Sequence, residues 1–307
     1  MRFNKPKFWD KKNSFLSKFL YPFSLLVIFF IFLKKLIIKS KTFNIPIVCV
    51  GNIYIGGTGK TPLSILLANE LNKKGKKTAI VRKYYSSHED EHFLIKKYFK
   101  DLILDKKRES GIKIAEKNDF DIVILDDGFQ DHKIKKNLNI VCFNQRQLIG
   151  NGLVLPAGPL RENLNSLSKA DLIMINGRKD KDFENQILKK NENIKFFYSQ
   201  YRALNADTFK GKDLIAVAGI GNPENFFETL KNHNLKVVEE KIFPDHHKFK
   251  KIEVSNIIQS AIKKGCEVVV TEKDYNKIKD FKFPNLNFLK VELVIDKKEE
   301  LIEIINL

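Results

Sequence analysis

Gly56-Gly57-Thr58-Gly59-Lys60-Thr61 closes a glycine-rich turn directly after the apolar, β-branched run Ile45 to Val50. A strand that ends in such a turn and opens a helix gathers backbone N–H groups, a helix N-terminus and one ammonium around a polyphosphate. Small residues let the backbone approach the phosphate oxygens, Lys60 offsets β/γ charge, and the Thr61 hydroxyl suits Mg²⁺. The stretch expected to touch a nucleotide is Tyr54, Ile55, Gly56, Gly57, Thr58, Gly59, Lys60 and Thr61. Tyr54 stands where the general spacing asks for glycine. A second feature, Asp126-Asp127-Gly128-Phe129-Gln130, ends the apolar run Ile122 to Leu125. Two carboxylates at the tip of a buried strand next to the P-loop strand suit a Mg²⁺ bridging nucleotide phosphates, so Thr61, Asp126 and Asp127 form the expected metal set. The competing reading is an aspartate that only caps the next turn.

The elements that position these residues follow an α/β rhythm, with β-branched runs alternating with helix-length segments as in a parallel sheet covered by helices. Strands are expected at Ile45–Val50, Thr78–Arg82, Ile122–Asp126, Ile140–Asn144 and Leu172–Ile175, with their C-terminal ends lining the crevice. Phe196–Gln200 reads as a connecting strand. A second series then runs through Leu214–Ala218, Val237–Phe243, Val268–Thr271 and Phe288–Leu293. Helices are expected at Leu63–Leu71, Glu224–Asn232, Ile252–Lys264 and Lys298–Ile305. The polar stretch Asn205–Lys212 suggests a boundary near residue 205, giving an anchoring segment over 1–40, a P-loop domain over 41–205 and a smaller α/β domain over 206–307.

At 307 residues the chain can bury two cores. Its net charge of +18 comes from lysines spread along the whole sequence, a diffuse positive field suited to an anionic surface. The aromatic residues are mostly phenylalanines in apolar runs and build no stacking platform, so an anionic membrane fits better than nucleic acid. Cys49, Cys142 and Cys266 sit in or beside apolar runs without Cys-x-x-Cys spacing and read as reduced core residues of a cytosolic protein. Phe19 to Leu33 is uncharged and flanked by lysines on both sides. As a helix that segment reaches about 22 Å, short of the roughly 30 Å hydrocarbon core. With no small-x-small cleavage site after it, it reads as a retained anchor whose lysines grip headgroups.

The ordered set Gly51 to Pro62, Leu125-Asp126-Asp127-Gly128-Phe129-Gln130, Leu155-Pro156-Ala157-Gly158-Pro159-Leu160-Arg161-Glu162, Ala218-Gly219-Ile220-Gly221-Asn222-Pro223 and Thr271-Glu272-Lys273-Asp274 resembles the tetraacyldisaccharide 4′-kinase family, the lipid A 4′-kinases. The family likewise lacks glycine at the position of Tyr54. The resemblance implies an ATP- and Mg²⁺-dependent enzyme on the cytoplasmic face of a Gram-negative-type inner membrane. It would phosphorylate the 4′-hydroxyl of a lipid-borne disaccharide 1-phosphate, bind no nucleic acid and act as a monomer. By the family pattern Asp90, in the polar cluster Ser87 to His92, falls on the catalytic base, with Glu89 and Glu91 as competing matches. His246, preferred to His247, falls on its histidine partner. Gln130, Arg161 and Glu162 fall on substrate- or phosphate-contacting positions, the latter two equally readable as a surface ion pair. The family continues Asp-Asp-Gly-Phe-Gln with histidine, whereas this chain has Asp131 before His132.

Three rivals make different demands. A membrane-associated ATPase switch of the partitioning or targeting type carries a lysine just before the paired glycines, where this chain has Ile55. A GTPase reads guanine with Asn/Thr-Lys-x-Asp, but Lys273 is one place too late in Thr271 to Asp274, which turns the side chains to the wrong faces. Binding of nucleic acid through the basic surface demands steep salt dependence and no lipid.

Overall fold

The computed structural model describes residues 5–245 and 247–307. In chain order the elements are α1 (Phe15–Ile37), β1 (Ile47–Gly51), α2 (Lys60–Lys73), β2 (Thr78–Lys83), α3 (Glu89–Tyr98), β3 (Leu102–Asp105), α4 (Arg108–Lys117), β4 (Ile122–Asp126), β5 (Leu138–Asn144), β6 (Leu172–Asn176), α5 (Lys181–Leu188) and β7 (Lys195–Ala203). They continue with β8 (Asp213–Ala218), α6 (Pro223–Asn232), β9 (Lys236–Ile242), α7 (Lys251–Lys263), β10 (Glu267–Thr271), α8 (Glu272–Ile278), β11 (Leu286–Leu289), β12 (Val291–Ile295) and α9 (Lys298–Ile305). The chain divides into two compact units. The larger holds Lys5–Tyr85, Ile95–Gln200 and Ile295–Leu307; the smaller holds Ser86–Leu94 and Tyr201–Val294. The segment containing Asp90 thus groups with the later part of the chain, and α9 with the earlier part.

The larger sheet has the order β12-β7-β6-β5-β1-β4-β2-β3, and its pairings from β3 to β7 are parallel. β1 and β4 are buried along their whole length, which is why they read as unbroken apolar runs rather than alternating ones. Ile47, Cys49, Val123, Leu125, Val141 and Phe143 belong to one core. Burial pushes the Cys49 thiol up to about 12, so it packs as a small hydrophobe. The smaller sheet, β11-β10-β8-β9, is parallel too.

Two sequence expectations are corrected, and a third region gains definition. The apolar N-terminal helix is 23 residues long, carrying on through Lys18, Lys34 and Lys35, so at 1.5 Å per residue it reaches about 34 Å and is long enough to cross a bilayer. In the polar cluster after β2, Glu89, Asp90 and Glu91 form the first turn of α3, where carboxylates meet the positive end of the helix. The expected strand Phe288–Leu293 breaks at Lys290 into β11 and β12, which join different sheets. Asn205 Oδ1 accepts from the Lys290 amide, 2.8 Å, and the Lys290 carbonyl accepts from Leu204 N–H, 2.8 Å, so the break is bound on both sides.

α1 docks by its small residues. Ser17 and Ser24 are its buried positions: Ser24 Oγ donates to Val154 O, 2.8 Å, and accepts from Ala157 N–H, 3.0 Å, while Asn151 Nδ2 donates to Ser17 Oγ, 3.0 Å. Phe15, Phe19, Phe23, Leu26 and Phe30 on its other sides are exposed.

Candidate active site

β1 delivers the chain into the turn with no room for a side chain at Gly51, where a Cβ would lie 2.4 Å from Phe129 Cβ and 3.0 Å from its backbone nitrogen. Asn52 is buried behind the turn and its Nδ2 donates to Thr58 Oγ1, 3.0 Å. Gly59, at φ 88°, takes a left-handed conformation that glycine adopts without strain and caps the start of α2, presenting Lys60 and Thr61 in its first turn. Tyr54 answers its own anomaly: it is fully buried in the core and bridges to Leu160. The neighbouring Ile55 N–H donates to Pro159 O, 2.9 Å, and Arg161 N–H to Ile53 O, 2.7 Å. The first half of the expected nucleotide stretch is therefore stitched to the segment before Glu162, and the Ile55 amide is already committed there. The turn from Gly56 to Thr61 is the part shaped to face a phosphate.

The two carboxylates ending β4 face different partners. Asp126 is completely buried and accepts from Ser64 Oγ, 3.0 Å, and Thr61 Oγ1, 3.3 Å, while forming an ion pair with Arg82. Arg82 is 4% exposed and also donates to Thr61 Oγ1, 3.2 Å. Strand register explains the pair, because β2 and β4 place Arg82 directly opposite Asp126. Asp127 adopts φ 54°, a left-handed turn that aspartate tolerates better than most residues. Its carboxylate lies 3.6 Å from Lys60 Nζ and 3.0 Å from Arg161 Nη1, and Arg108 Nη2 donates to its carbonyl, 2.6 Å. Burial works to raise its pKa, but Lys60, Arg161, Arg82 and Arg108 outweigh burial and hold the carboxyl far below the usual range. It is ionised at any physiological pH.

Thr61, Asp126 and Asp127 supply hard oxygen donors beside the phosphate turn, which matches Mg²⁺ and not a softer metal. The buried Asp126 carboxylate, already ringed by Thr61 and Ser64 hydroxyls, fits such an ion or its waters. Among the described residues no cluster of three or more His, Cys, Asp or Glu could form an all-protein metal cage.

Arg161 and Glu162 are not a surface pair with each other. Arg161 reaches Asp127, whereas Glu162 is buried and accepts from Lys35 Nζ, 2.6 Å, with His132 Nε2 at 3.0 Å. Burial tends to raise the Glu162 pKa, but His132 and Lys35 bring it below the usual value. Gln130 Nε2 donates to Asn52 O, 2.6 Å, bracing the entrance of the phosphate turn.

Asp90 belongs to the smaller unit. Its carboxylate lies 3.3 Å from Lys273 Nζ and 3.5 Å from Lys277 Nζ, both on α8. Lys273 also meets Asp245, 3.3 Å, and Glu91, 3.7 Å. Burial lowers the Lys273 pKa, yet Asp245, Glu91, Asp90 and Asp274 together raise it above its ordinary value. Glu89 is exposed. His246 lies outside the described residues. His247 is buried, with Nε2 2.8 Å from Glu253 and its ring between Phe243 and Phe249. Asp274 is consumed by the fold, accepting from Gly219 N–H, 2.7 Å, and Thr271 Oγ1, 2.7 Å. It has no spare edge for a guanine, which removes the remaining appeal of the GTPase reading. Sequence reasoning missed Arg82, Arg108 and Lys277, and it gave Lys273 no role beyond its place in the Thr271–Asp274 motif; a charged residue closing the strand Thr78–Arg82 reads as a solvated end, so no local signal marks Arg82.

The model of the family described as tetraacyldisaccharide-1-P 4′-kinase matches residues 16–306. The chain belongs to that family. It is 39% identical to the tetraacyldisaccharide 4′-kinase of Pelagibacter ubique over 307 aligned residues, covering 98% of this chain and 96% of the relative. The kinase of the same name from Rickettsia bellii is 35% identical over 90% of this chain and 89% of its own length. Among solved structures, LpxK from Aquifex aeolicus in complex with ATP superposes with a TM-score of 0.69 and 27% identity, covering 94% of this chain and 98% of that one. Membership makes the chain a phosphotransferase of the tetraacyldisaccharide 4′-kinase family, and the partitioning-type switch is not favoured.

Proposed function

We propose that this tetraacyldisaccharide 4′-kinase binds MgATP at the Gly56–Thr61 turn and transfers the γ-phosphoryl group to the 4′-hydroxyl of a membrane-held tetraacyldisaccharide 1-phosphate. The product is the 1,4′-bisphosphate of lipid A biosynthesis. The observation that carries this reading is the convergence of Lys60 and Arg161 on Asp127, beside Thr61 and Asp126, at the C-terminal edge of a parallel sheet. The ATP bound by the Aquifex relative supports the choice of nucleotide.

The residues divide the work as phosphoryl transfer requires. Amides of Gly56 to Thr61 cradle the phosphates, and Lys60 and Arg161 neutralise charge gathering on the transferred group. Thr61 with Asp126 or Asp127 would hold Mg²⁺, which would supply positive charge against the phosphates. Asp90, which the family pattern pairs with His246, takes the proton as the 4′-oxygen bonds to phosphorus and the bond to the β-phosphate oxygen breaks. Lys273 and Lys277 keep that carboxylate in place. α1, with one side docked on Val154 and Ala157 and apolar side chains outward, suits insertion at the cytoplasmic face of the inner membrane. The lysine-rich surface suits its anionic lipid.

Transfer of radiolabelled γ-phosphate from ATP to a purified disaccharide lipid 1-phosphate in detergent micelles tests the proposal. Wild-type protein labels the lipid, and Lys60→Ala and chelation of Mg²⁺ abolish labelling. ATP hydrolysis at one rate with or without the lipid, and no labelled lipid, would instead establish an ATPase switch.

A further inference from the structure

The motif Ala218-Gly219-Ile220-Gly221-Asn222-Pro223 has no part in the transfer assigned to Lys60, Arg161 and Asp90, yet it stands where α/β folds bind ligands. From β8 the chain passes through α6 to β9 on one flank, then through α7 to β10 on the other. The topological switch point of the smaller sheet therefore lies between β8 and β10, and the crevice outside the carboxyl ends of such strands is the usual binding place. Gly219 opens the loop there. A Cβ on it would lie 3.1 Å from Asp274 Oδ1 and 3.3 Å from Phe249 Cζ, so glycine lets the loop sit against both.

Asn222 is the unusual residue of this loop. It occupies the N-cap position of the ten-residue helix α6, where asparagine normally accepts from an amide of the first turn, but its side chain makes no such bond. It is 6% exposed, and among the described residues neither its Oδ1 nor its Nδ2 has a hydrogen-bond partner. An enclosed carboxamide with nothing to bond destabilises a fold, whereas an apolar side chain of similar size does not. Lys277 Nζ lies 3.5 Å from Gly219 O, 2.9 Å from Asp274 and 3.5 Å from Asp90, so one ammonium links the loop to the carboxylate assigned as base, all within the smaller unit. Lys273 and Lys277 together face Asp90, Glu91, Asp245 and Asp274, two ammoniums against four carboxylates among the described residues. That surplus of negative charge repels a phosphate. A carboxamide both donates and accepts, which matches a neutral hydroxyl or amide.

We propose that Asn222 binds a neutral hydroxyl or amide of the acceptor sugar, next to the hydroxyl that reacts, and so positions that sugar at Asp90. This rests on the lipid-kinase reading above, with Asp90 as proton acceptor. The ribose of the nucleotide offers the same hydroxyl chemistry, and the assay separates the two sources.

Initial rates of phosphoryl transfer are measured for wild type, Asn222→Leu and Asn222→Ala over a range of disaccharide lipid 1-phosphate in neutral-detergent micelles, with ATP and with 2′-deoxy-ATP. Thermal unfolding is measured in parallel. In both variants kcat/KM for the lipid is expected to fall about tenfold, the scale of one lost substrate hydrogen bond. The KM for ATP and the ratio of rates with the two nucleotides are expected to stay at their wild-type values. Asn222→Leu is expected to melt no lower than wild type, because it removes an unpartnered buried amide. Unchanged kcat/KM for the lipid overturns the proposal. So does a lower melting temperature in both variants, which makes Asn222 a turn-forming residue. A rise in KM for ATP with lost discrimination against 2′-deoxy-ATP overturns it too and assigns the amide to the ribose. Failure of wild type to label the lipid refutes the lipid-kinase reading itself, a distinct outcome.

Discussion

Replacing Arg82 with methionine removes the guanidinium from a carboxylate that has no access to water. Asp126 is fully buried, and its remaining partners would be the hydroxyls of Thr61 and Ser64. Breaking a buried ion pair from one side costs about 3–5 kcal/mol, because the charge left behind keeps its desolvation cost and loses its counter-ion. A body of the larger unit's size loses about 2–4 °C of melting temperature per kcal/mol, so the fall for Arg82→Met is on the order of 10 °C. Nucleotide changes the balance. On the proposed metal assignment MgATP would bring a divalent cation to the same carboxylate, and a ligand that binds only the folded state stabilises it by mass action. Thermal unfolding of both proteins with no addition, with ATP plus chelator, and with MgATP reads the effect. The gap between variant and wild type is expected to narrow with MgATP and to persist with chelated ATP. A variant melting within 2 °C of wild type, or a gap that MgATP leaves untouched, would refute the idea that Arg82 fills the place of a cation at Asp126.

Three further outcomes follow from the same geometry. Asp90→Asn is expected to lower kcat by about 10²–10⁴-fold and Lys273→Met by about tenfold or more, with the KM for ATP nearly constant in both and Lys273→Arg recovering part of the loss; steady-state kinetics would show full activity of Asp90→Asn if another group takes the proton. Asp127→Asn removes a carboxylate whose folded-state pKa is depressed. Its stabilising contribution is complete above the unfolded value of about 3.9 and is lost as pH falls from there through the folded one, so urea unfolding is expected to separate variant and wild type at pH 7 and to bring them progressively closer only as pH falls below about 4. Ser24→Val leaves Val154 O and Ala157 N–H without their buried partner, a cost of about 1–3 kcal/mol for each; faster hydrogen exchange at Ala157 is the readout, and unchanged protection would mean α1 docks by other contacts.

The parts of the site that could be read from the sequence are those where local chemistry and strand position coincide. Gly51 to Thr61 and Asp126-Asp127 each follow an unbroken apolar run, and a buried parallel strand requires such a run. Arg82 was illegible for the opposite reason. A charged residue closing a strand looks like a solvated end, and only the β2–β4 register shows that it faces Asp126. Lys273 and Lys277 lie four residues apart on α8, one helical face, but their partner Asp90 is about 180 positions earlier in the chain, a separation that no local pattern reports. Counting only the uncharged residues Phe19 to Leu33 gives too short a helix, because Phe15–Ile37 takes in Lys18, Lys34 and Lys35 and long basic side chains at helix termini can extend to the headgroups.

The segment from Leu153 to Glu162 ties the apolar helix to the phosphate turn within this unit. Val154 and Ala157 hold Ser24 of the apolar helix, Pro156 O accepts from Trp9 Nε1, 3.0 Å, and Glu162 takes Lys35 from the helix's last turn. Leu160 bridges to Tyr54, Pro159 O accepts from the Ile55 amide, and Arg161 reaches Asp127. One short stretch therefore binds the helix along one edge and the phosphate turn along the other. An enzyme whose acceptor stays in the bilayer needs its phosphate cradle at a fixed height above the lipid, and a cradle on a mobile linker would spread its terminal phosphate over many positions, at the cost of the orientation that phosphoryl transfer depends on. Direct stitching removes that spread. The buried tyrosine in place of the usual glycine is part of the same device, because glycine at position 54 would give the turn more freedom and no side chain with which to hold the core against Leu160.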